Sequence, residues 1–587
     1  MYMTNLFVLV SIFLLFVVNN CVCVDEEDFS EELVLSDLGN GYSYFGFNFV
    51  FTRQVNDFNF VIKATSSHKH FSLFPRSISD LAARFRVSEF HLTLSQGYWN
   101  HAAWGYASQP QPQGAELWAW LGSHGSESDK VESNWREFVS AVSGMFCASV
   151  NAMATGAVAT SPAWSYRPEG LSQRGREPRT LRLAQIVNQG VCTENLTPWS
   201  RLLPCKKQAG IGQLLNAVKL HDSAYNSVQV HFKPTHRGLA LRLVFTAVID
   251  RRIAQLGKAD WSVYSLLSRA VSLPCSLATS QTGSRLLVLK RTAPDPDQSA
   301  VQPEPLQSYN LANGLKLLDY NLTKMLDDEA KDSVDVKFNF PWTWVPVERL
   351  QSPPVVAQKY QIGTGSEMGG VVVAISNRHP SQAINVIILE IVPWQLRMLF
   401  HTLELTLGDN LAHKANKVHY QQSVDRVRPA KLELLVTVPP RTSLRVSYRF
   451  TKQLVRWNEF PPDANHGLYL PPTVVSFVAP SDSSLRLPVL PQTVLSIAEL
   501  TANRNATTPE PIFVRLYTEA LLVNAPKPDF SMPYNVLCLV CTVLAIGSGF
   551  MHNVACKLAS VSNPNPADKD ATLIGRLKKM LTPWRRQ

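Results

Sequence analysis

The chain has 587 residues, 45% of them hydrophobic and 17% charged, which excludes a polar, disordered chain and provides for large buried cores. Its net charge of +10 does not indicate a nucleic-acid-binding protein, because seven basic and two acidic residues from Lys557 onward supply +5 of it. This length sets an expectation of two to four domains.

Leu6 to Val18 is an apolar run broken only by Ser11 and followed by the small-residue stretch Cys21-Val22-Cys23, so residues 1–23 read as a secretory signal peptide. Beyond the acidic cluster at 25–28, the aromatic alternation from Tyr42 to Phe51 predicts a strand. Pro75 precedes a helical SISDLAARF, and Glu89 to Ser95 and Leu117 to Leu121 predict further strands. Trp135, Phe138, Val139, Val142 and Phe146 recur at helical spacing behind Ser133, taken as the N-cap. Residues 24–290 thus read as a first lumenal subdomain, mixed and β-rich.

Arg291 to Gln307 combines four prolines with polar residues, so 291–330 reads as a linker region. From 331 to 533, short β-rich runs at Gly370 to Ser376, Ala383 to Val392, Leu399 to Leu407, Leu432 to Val438 and Leu444 to Phe450 predict a β-sandwich-like module. The run Gly363 to Gly370 lacks the Lys-Ser/Thr of a phosphate loop and reads as a strand connection. Tyr534 to Ala555 carries no charge; about 22 residues at ~1.5 Å each span roughly 33 Å, enough for a bilayer core of about 30 Å. Residues 534–555 therefore read as a transmembrane helix, with Ala545 and Gly549 as a small-residue packing face, and 556–587 as a basic cytosolic tail. The expected fold is mainly β with some α: lumenal β-sandwich-like subdomains with peripheral helices, plus the one C-terminal membrane helix.

Cys147, Cys192, Cys205 and Cys275 fall in the lumenal part, where an oxidising compartment permits disulfides, and four thiols allow three pairings. N-glycosylation acceptors lie at Asn195, Asn321 and Asn505; Pro198 follows the first and disfavours it, so Asn321 and Asn505 rank ahead. The sequence holds no HExxH, Walker or GxSxG motif, and neither His124-Gly125 nor His466-Gly467 has the cysteine turn of a caspase-like dyad. No catalytic residue, metal ligand or cofactor is assigned.

Several ordered stretches then carry a resemblance. FSLFP at 71–75, FHLTLSQGYW at 90–99, GAELWAW at 114–120, SGMFCAS at 143–149, VCTENLTPWSRLLPC at 191–205, VPWQL at 392–396, NHGLY at 465–469 and the run 514–540 are similar to the PIG-T family of glycosylphosphatidylinositol (GPI) transamidase subunits. The resemblance implies a non-catalytic scaffold in the endoplasmic reticulum membrane, single-pass, with its N-terminal domain lumenal. It implies as partners a caspase-like cysteine protease subunit and multispanning transamidase subunits, with GPI lipid and proprotein as substrates of the whole complex. It also implies that Cys192 is disulfide-bonded to the protease subunit. Cys147, Cys205 and Cys275 would then supply one internal bridge of unassigned pairing and one buried free thiol. Two other readings compete: a lumenal enzyme with an unrecognised site, which needs converging titratable groups in a cleft, and a cell-surface ectodomain, which predicts plasma-membrane residence.

Overall fold

A computed structural model describes residues 27–558 apart from 40, 55–71, 108, 123–127, 171–178, 236–237, 255–260, 279–282, 292–299, 303, 311–314, 328–336, 340–352, 364, 366, 409–410, 461–462, 464, 480–512 and 527–530. The expected signal peptide, most of the basic tail and Asn505 lie outside the described residues. The chain divides into two units, 1–526 and 527–587.

The first unit contains one large sheet, built from β1 (Glu27–Gly39), β2 (Tyr42–Gln54), β3 (Val87–Gln96), β4 (Gly114–Gly122), β5 (Arg179–Ile186), β6 (Tyr225–Thr235), β7 (Gly238–Asp250), β8 (Ser284–Arg291), β9 (Gln307–Asn310) and β10 (Leu315–Asn321). Its order is β9-β10-β8-β1-β2-β7-β6-β3-β4-β5, antiparallel throughout except for β1 beside β8. Side chains alternate across a strand, so Phe45, Phe47, Phe49 and Phe51 share one face. Three helices contribute to the core on that face: α1 (Arg76–Arg84), α2 (Ser128–Phe146) and α3 (Thr193–Arg201). Ile78, Trp135, Phe138 and Trp199 are their buried anchors.

The opposite face is also buried: over β3, β4 and β6 it is polar, carrying Glu89, His91, Thr93, Glu116, Gln229 and His231, and over β1, β2, β7 and β8 it holds a smaller apolar cluster that includes Val34, Tyr44, Val248 and Leu287. Burial on both faces explains why β3 and β6 show no clean apolar/polar alternation in burial.

A sandwich follows in the same unit. One sheet runs β11 (Val355–Ile362), β12 (Met368–Asn377), β18 (Thr442–Lys452), β14 (Leu396–Leu407) and β15 (Leu411–Ala412). Its partner runs β16 (Lys417–Gln421), β17 (Ala430–Val438), β13 (Ile384–Val392), β19 (Val474–Val478) and β20 (Phe513–Tyr517). Val373, Ile375, Val446 and Phe450 of the one meet Val386, Ile388, Leu434 and Phe477 of the other in a second apolar core. Gly369 and Gly370 open β12 because a Cβ would stand 2.6 Å from the Phe450 ring and 2.7 Å from Ile362 Cγ1. That packing accounts for the glycine run as strand chemistry.

The chain is therefore mainly β with peripheral helices, as its patterning predicts. Two boundaries differ from expectation. α2 begins at Ser128, and Ser133 lies inside it, its hydroxyl 3.3 Å from Glu137 Oε1 rather than capping a terminus. The expected linker contributes β9 and β10 to the large sheet, with Leu317, Leu318 and Tyr320 buried; its four prolines all precede β9 in sequence, so none falls inside either strand.

The second unit contains the helix α4 (Ser531–Leu558), whose stretch Met532–Cys556 is long and apolar enough to cross a membrane.

Candidate functional site

Cys192 occupies the N-cap of α3, in extended backbone, and is a free, exposed cysteine. Its position is set by Asn195 one turn later, which is fully buried. Asn195 Oδ1 accepts the Cys192 backbone N–H at 2.9 Å and lies 3.1 Å from Cys192 Sγ. Asn195 Nδ2 donates to the carbonyls of Phe146 at 3.0 Å and Cys147 at 2.8 Å. One amide thus joins the start of α3 to the end of α2, serving backbone groups that helix termini leave without partners.

The rest of α3 is anchored under that junction. Trp199 Nε1 donates to the Gln229 carbonyl at 3.0 Å, and its ring meets Phe49 and Phe245 edge-on. Leu196 is fully buried beside it.

Of the other cysteines, Cys205 and Cys275 form an internal bridge with Cα atoms 6.0 Å apart. It closes a separation of 70 residues, which by chain entropy stabilises the fold by about 4 kcal/mol. Cys147 is free. The sequence reading leaves the pairing open and expects a buried free thiol; Cys147 is instead exposed, because it follows the last residue of α2 with φ +51, in the left-handed conformation common where helices end.

Asn321 ends β10 and is half-buried; its Oδ1 accepts the N–H groups of Thr323 and Lys324, which leaves the carbonyl rather than the amide nitrogen engaged in capping. In α4, Ala545 and Gly549 lie on exposed positions, and a Cβ on Gly549 would meet nothing within 4 Å. Ser548 Oγ turns back to the Ala545 carbonyl at 3.1 Å.

The polar face of the large sheet forms a second feature that the sequence reading missed. Arg515, from β20, lies over the Tyr166 ring at 4.2 Å and the Trp118 ring at 5.7 Å. Trp118 stacks on His91 at 3.9 Å between centroids. Glu116 accepts from Tyr166, Tyr517 and Gln185 at 2.6 to 2.9 Å. Burial raises the Glu116 carboxyl above its ordinary range, against the opposing pull of Arg515 and these three donors.

Beside Glu116 and Trp118, His91 Nδ1 meets His231 Nδ1 at 2.8 Å, and His231 Nε2 meets Gln229 Oε1 at 2.9 Å. Burial, then His91, Arg242, Lys233 and Arg515, push His231 well below the usual histidine range. An unfolded chain takes up a proton at His231 near pH 6.5, while the folded chain stays neutral to a much lower pH. The contribution is therefore complete above about 6.5 and is lost as pH falls. We expect His231→Gln to flatten the fall of thermal stability between pH 6.5 and 5, removing a slope of up to about 1.4 kcal/mol per pH unit. Melts of the purified full chain at stepped pH measure it; parallel profiles would refute the assignment.

Carboxylates inside strands carry the signal that could have exposed such buried polar contacts: Glu116 interrupts GAELWAW in the large sheet and Glu433 interrupts KLELL in the sandwich, where both neighbours are apolar. Among the described residues, no group of three or more His, Cys, Asp or Glu side chains is placed to hold a metal ion.

Comparison with known proteins matches the chain to the family described as "Gpi16 subunit, GPI transamidase component" over residues 12–256 and 253–582. It is 34% identical to the mouse GPI-anchor transamidase component PIGT, covering 95% of each chain. It is 35% identical to the human component of the same name over 87% of this chain and 88% of that one. The Saccharomyces cerevisiae GPI transamidase component GPI16 is 24% identical over 90% of this chain and 88% of its own.

Proposed function

The chain belongs to the Gpi16 family of GPI transamidase components, and we propose that it acts there as a non-catalytic scaffold of the endoplasmic reticulum membrane, covalently tethered through Cys192 to a caspase-like cysteine protease subunit. Membership in the family places it in GPI-anchor attachment. The observation that carries the finer reading is the thiol: Cys192 is free and exposed at a helix start whose backbone is fixed from the buried side.

A disulfide at that point makes the encounter of two subunits effectively intramolecular, so assembly no longer depends on their concentration or on one large interface. The remainder of the first unit supports a structural role. Buried carboxylates join the large sheet to the sandwich: Glu116 of β4 accepts from Tyr517 of β20, and Glu433 of β17 accepts from the Ala163 N–H in the segment that leads to β5. In this reading α4 spans the membrane with the first unit on the lumenal side, and Ala545 and Gly549 present a close-approach face to helices of the multispanning subunits. Glycans sit on Asn321 and Asn505. The GPI lipid and the proprotein are handled by the assembled complex.

Non-reducing electrophoresis of the membrane-extracted complex tests the tether. The parent chain is expected in a high-mass species that contains the protease subunit and collapses on reduction, and Cys192→Ser is expected to abolish it. A Cys192→Ser sample with the same reducible species would sink the reading.

A further inference from the structure

Asn195-Leu196-Thr197 has the form of a glycosylation acceptor, yet the nitrogen that would carry the glycan is spent elsewhere. Asn195 is fully buried, and Nδ2 donates to the carbonyls of Phe146, the last residue of α2, and of Cys147 just beyond it. A glycan on that atom would remove both bonds and require a sugar where no solvent reaches. At its other end Oδ1 holds the Cys192 backbone N–H and touches the sulfur itself at 3.1 Å. The same amide reaches Cys147, which is also a free and exposed cysteine, only through its backbone carbonyl, 48 residues away in sequence.

We propose that Asn195 is the positioning residue of the Cys192 tether and that it stays unglycosylated in the folded protein. The inference rests on the reading of Cys192 as the intersubunit cysteine. In thiol–disulfide exchange the Cys192 thiolate attacks one sulfur of a disulfide carried by the partner or by a thiol–disulfide oxidoreductase; the new S–S bond forms to Cys192 and the other sulfur leaves as a thiolate. The number of disulfides is unchanged. Attack requires the Cys192 sulfur to be aimed along the axis of the bond that breaks, and a partner that docks as a folded domain offers that axis in one direction. Oδ1 fixes the backbone of the N-cap through its N–H and, in the thiol state, accepts the S–H, so the sulfur is already turned when its proton passes to solvent and the thiolate attacks. The carbonyls of Phe146 and Cys147 in turn fix the amide, so the aim of the thiol is set by the end of α2.

The test uses the full chain expressed with its partner subunits, comparing Asn195→Ala, Asn195→Ser, Thr197→Ala and Cys192→Ser. Thr197→Ala destroys the acceptor motif but keeps the amide. The covalent fraction is read on non-reducing gels for chains that retain the Cys205–Cys275 bridge by mass after alkylation. Asn195→Ala and Asn195→Ser are expected to lower it about fivefold or more, since the amide's hydrogen bonds to the N-cap are lost, while Thr197→Ala matches the parent. Peptide mapping of the parent is expected to find Asn195 bare. A parent-level covalent fraction in either Asn195 variant, an equal loss in Thr197→Ala, or a glycan on Asn195 of the parent overturns the proposal. A species that survives Cys192→Ser instead overturns the tether on which it rests.

Discussion

Glu433→Ala is expected to release the 163–165 segment, which precedes β5 of the large sheet and is held on the sandwich, at a cost of about 3 kcal/mol or more, the sum of two or three buried donors left without partners. Glu433 is fully buried on β17. Its Oε2 accepts the Ala163 N–H at 2.7 Å, Oε1 accepts the Ser165 N–H at 3.3 Å and the Ser165 hydroxyl at 2.9 Å, and the Trp164 N–H lies 3.3 Å from both oxygens. Charge-assisted bonds of this type are roughly twice as strong as neutral ones, and here a single carboxylate gathers four donors.

Alanine leaves those donors facing a cavity, whereas Glu433→Gln keeps the volume and one acceptor while turning an NH2 group toward N–H donors. The expected order of stability is parent, then Gln, then Ala. Limited proteolysis of the full chain reads it, with cleavage rising between residues 155 and 170 while the Cys205–Cys275 bridge stays intact. Equal proteolysis in parent and Ala variants would show that the loop is held by something else, such as the Lys431 ammonium on the Ser161 carbonyl.

Legibility in the sequence followed the range of the interactions. β2 could be read because its phenylalanines alternate within ten residues, and β18 because Leu444, Val446, Tyr448 and Phe450 do the same. The apolar span of α4 is a property of one segment. β9 and β10 could not be read, since the proline-rich stretch before them resembles a linker until β8 supplies the pairing partner. The site divides in the same way. Cys192 came into view through a family resemblance, because nothing within its own segment distinguishes it from Cys205. The role of Asn195 was hidden behind its glycosylation motif, since the carbonyls it binds belong to another helix. Glu433 and Ser165 are separated by 268 residues, and no local pattern records that contact.

The ion pair of Lys359 and Glu390 should give the largest single effect in the sandwich. Lys359 Nζ lies 2.7 Å from Glu390 Oε1 with both side chains out of solvent, and it also donates to the Pro471 carbonyl at 2.7 Å. Burial lowers the lysine from its ordinary range, and Glu390 opposes that shift. Glu390 is further tied to the Tyr448 hydroxyl at 2.6 Å and to the Thr473 hydroxyl. Taking two charges out of water is costly, and the pair is tolerated because the ammonium has a second acceptor in the Pro471 carbonyl and the carboxylate has two further donors in the Tyr448 and Thr473 hydroxyls. Lys359→Met is therefore expected to destabilise the sandwich by about 3 to 5 kcal/mol, since it strands a carboxylate in the core. Lys359→Met combined with Glu390→Leu should recover much of that loss, though not all, because the Tyr448 and Thr473 hydroxyls lose their acceptor. Chemical denaturation of the full chain and its variants gives the comparison. If the double variant is no more stable than Lys359→Met alone, the stranded charge is not the cause, and the lysine matters for its bond to the Pro471 carbonyl instead.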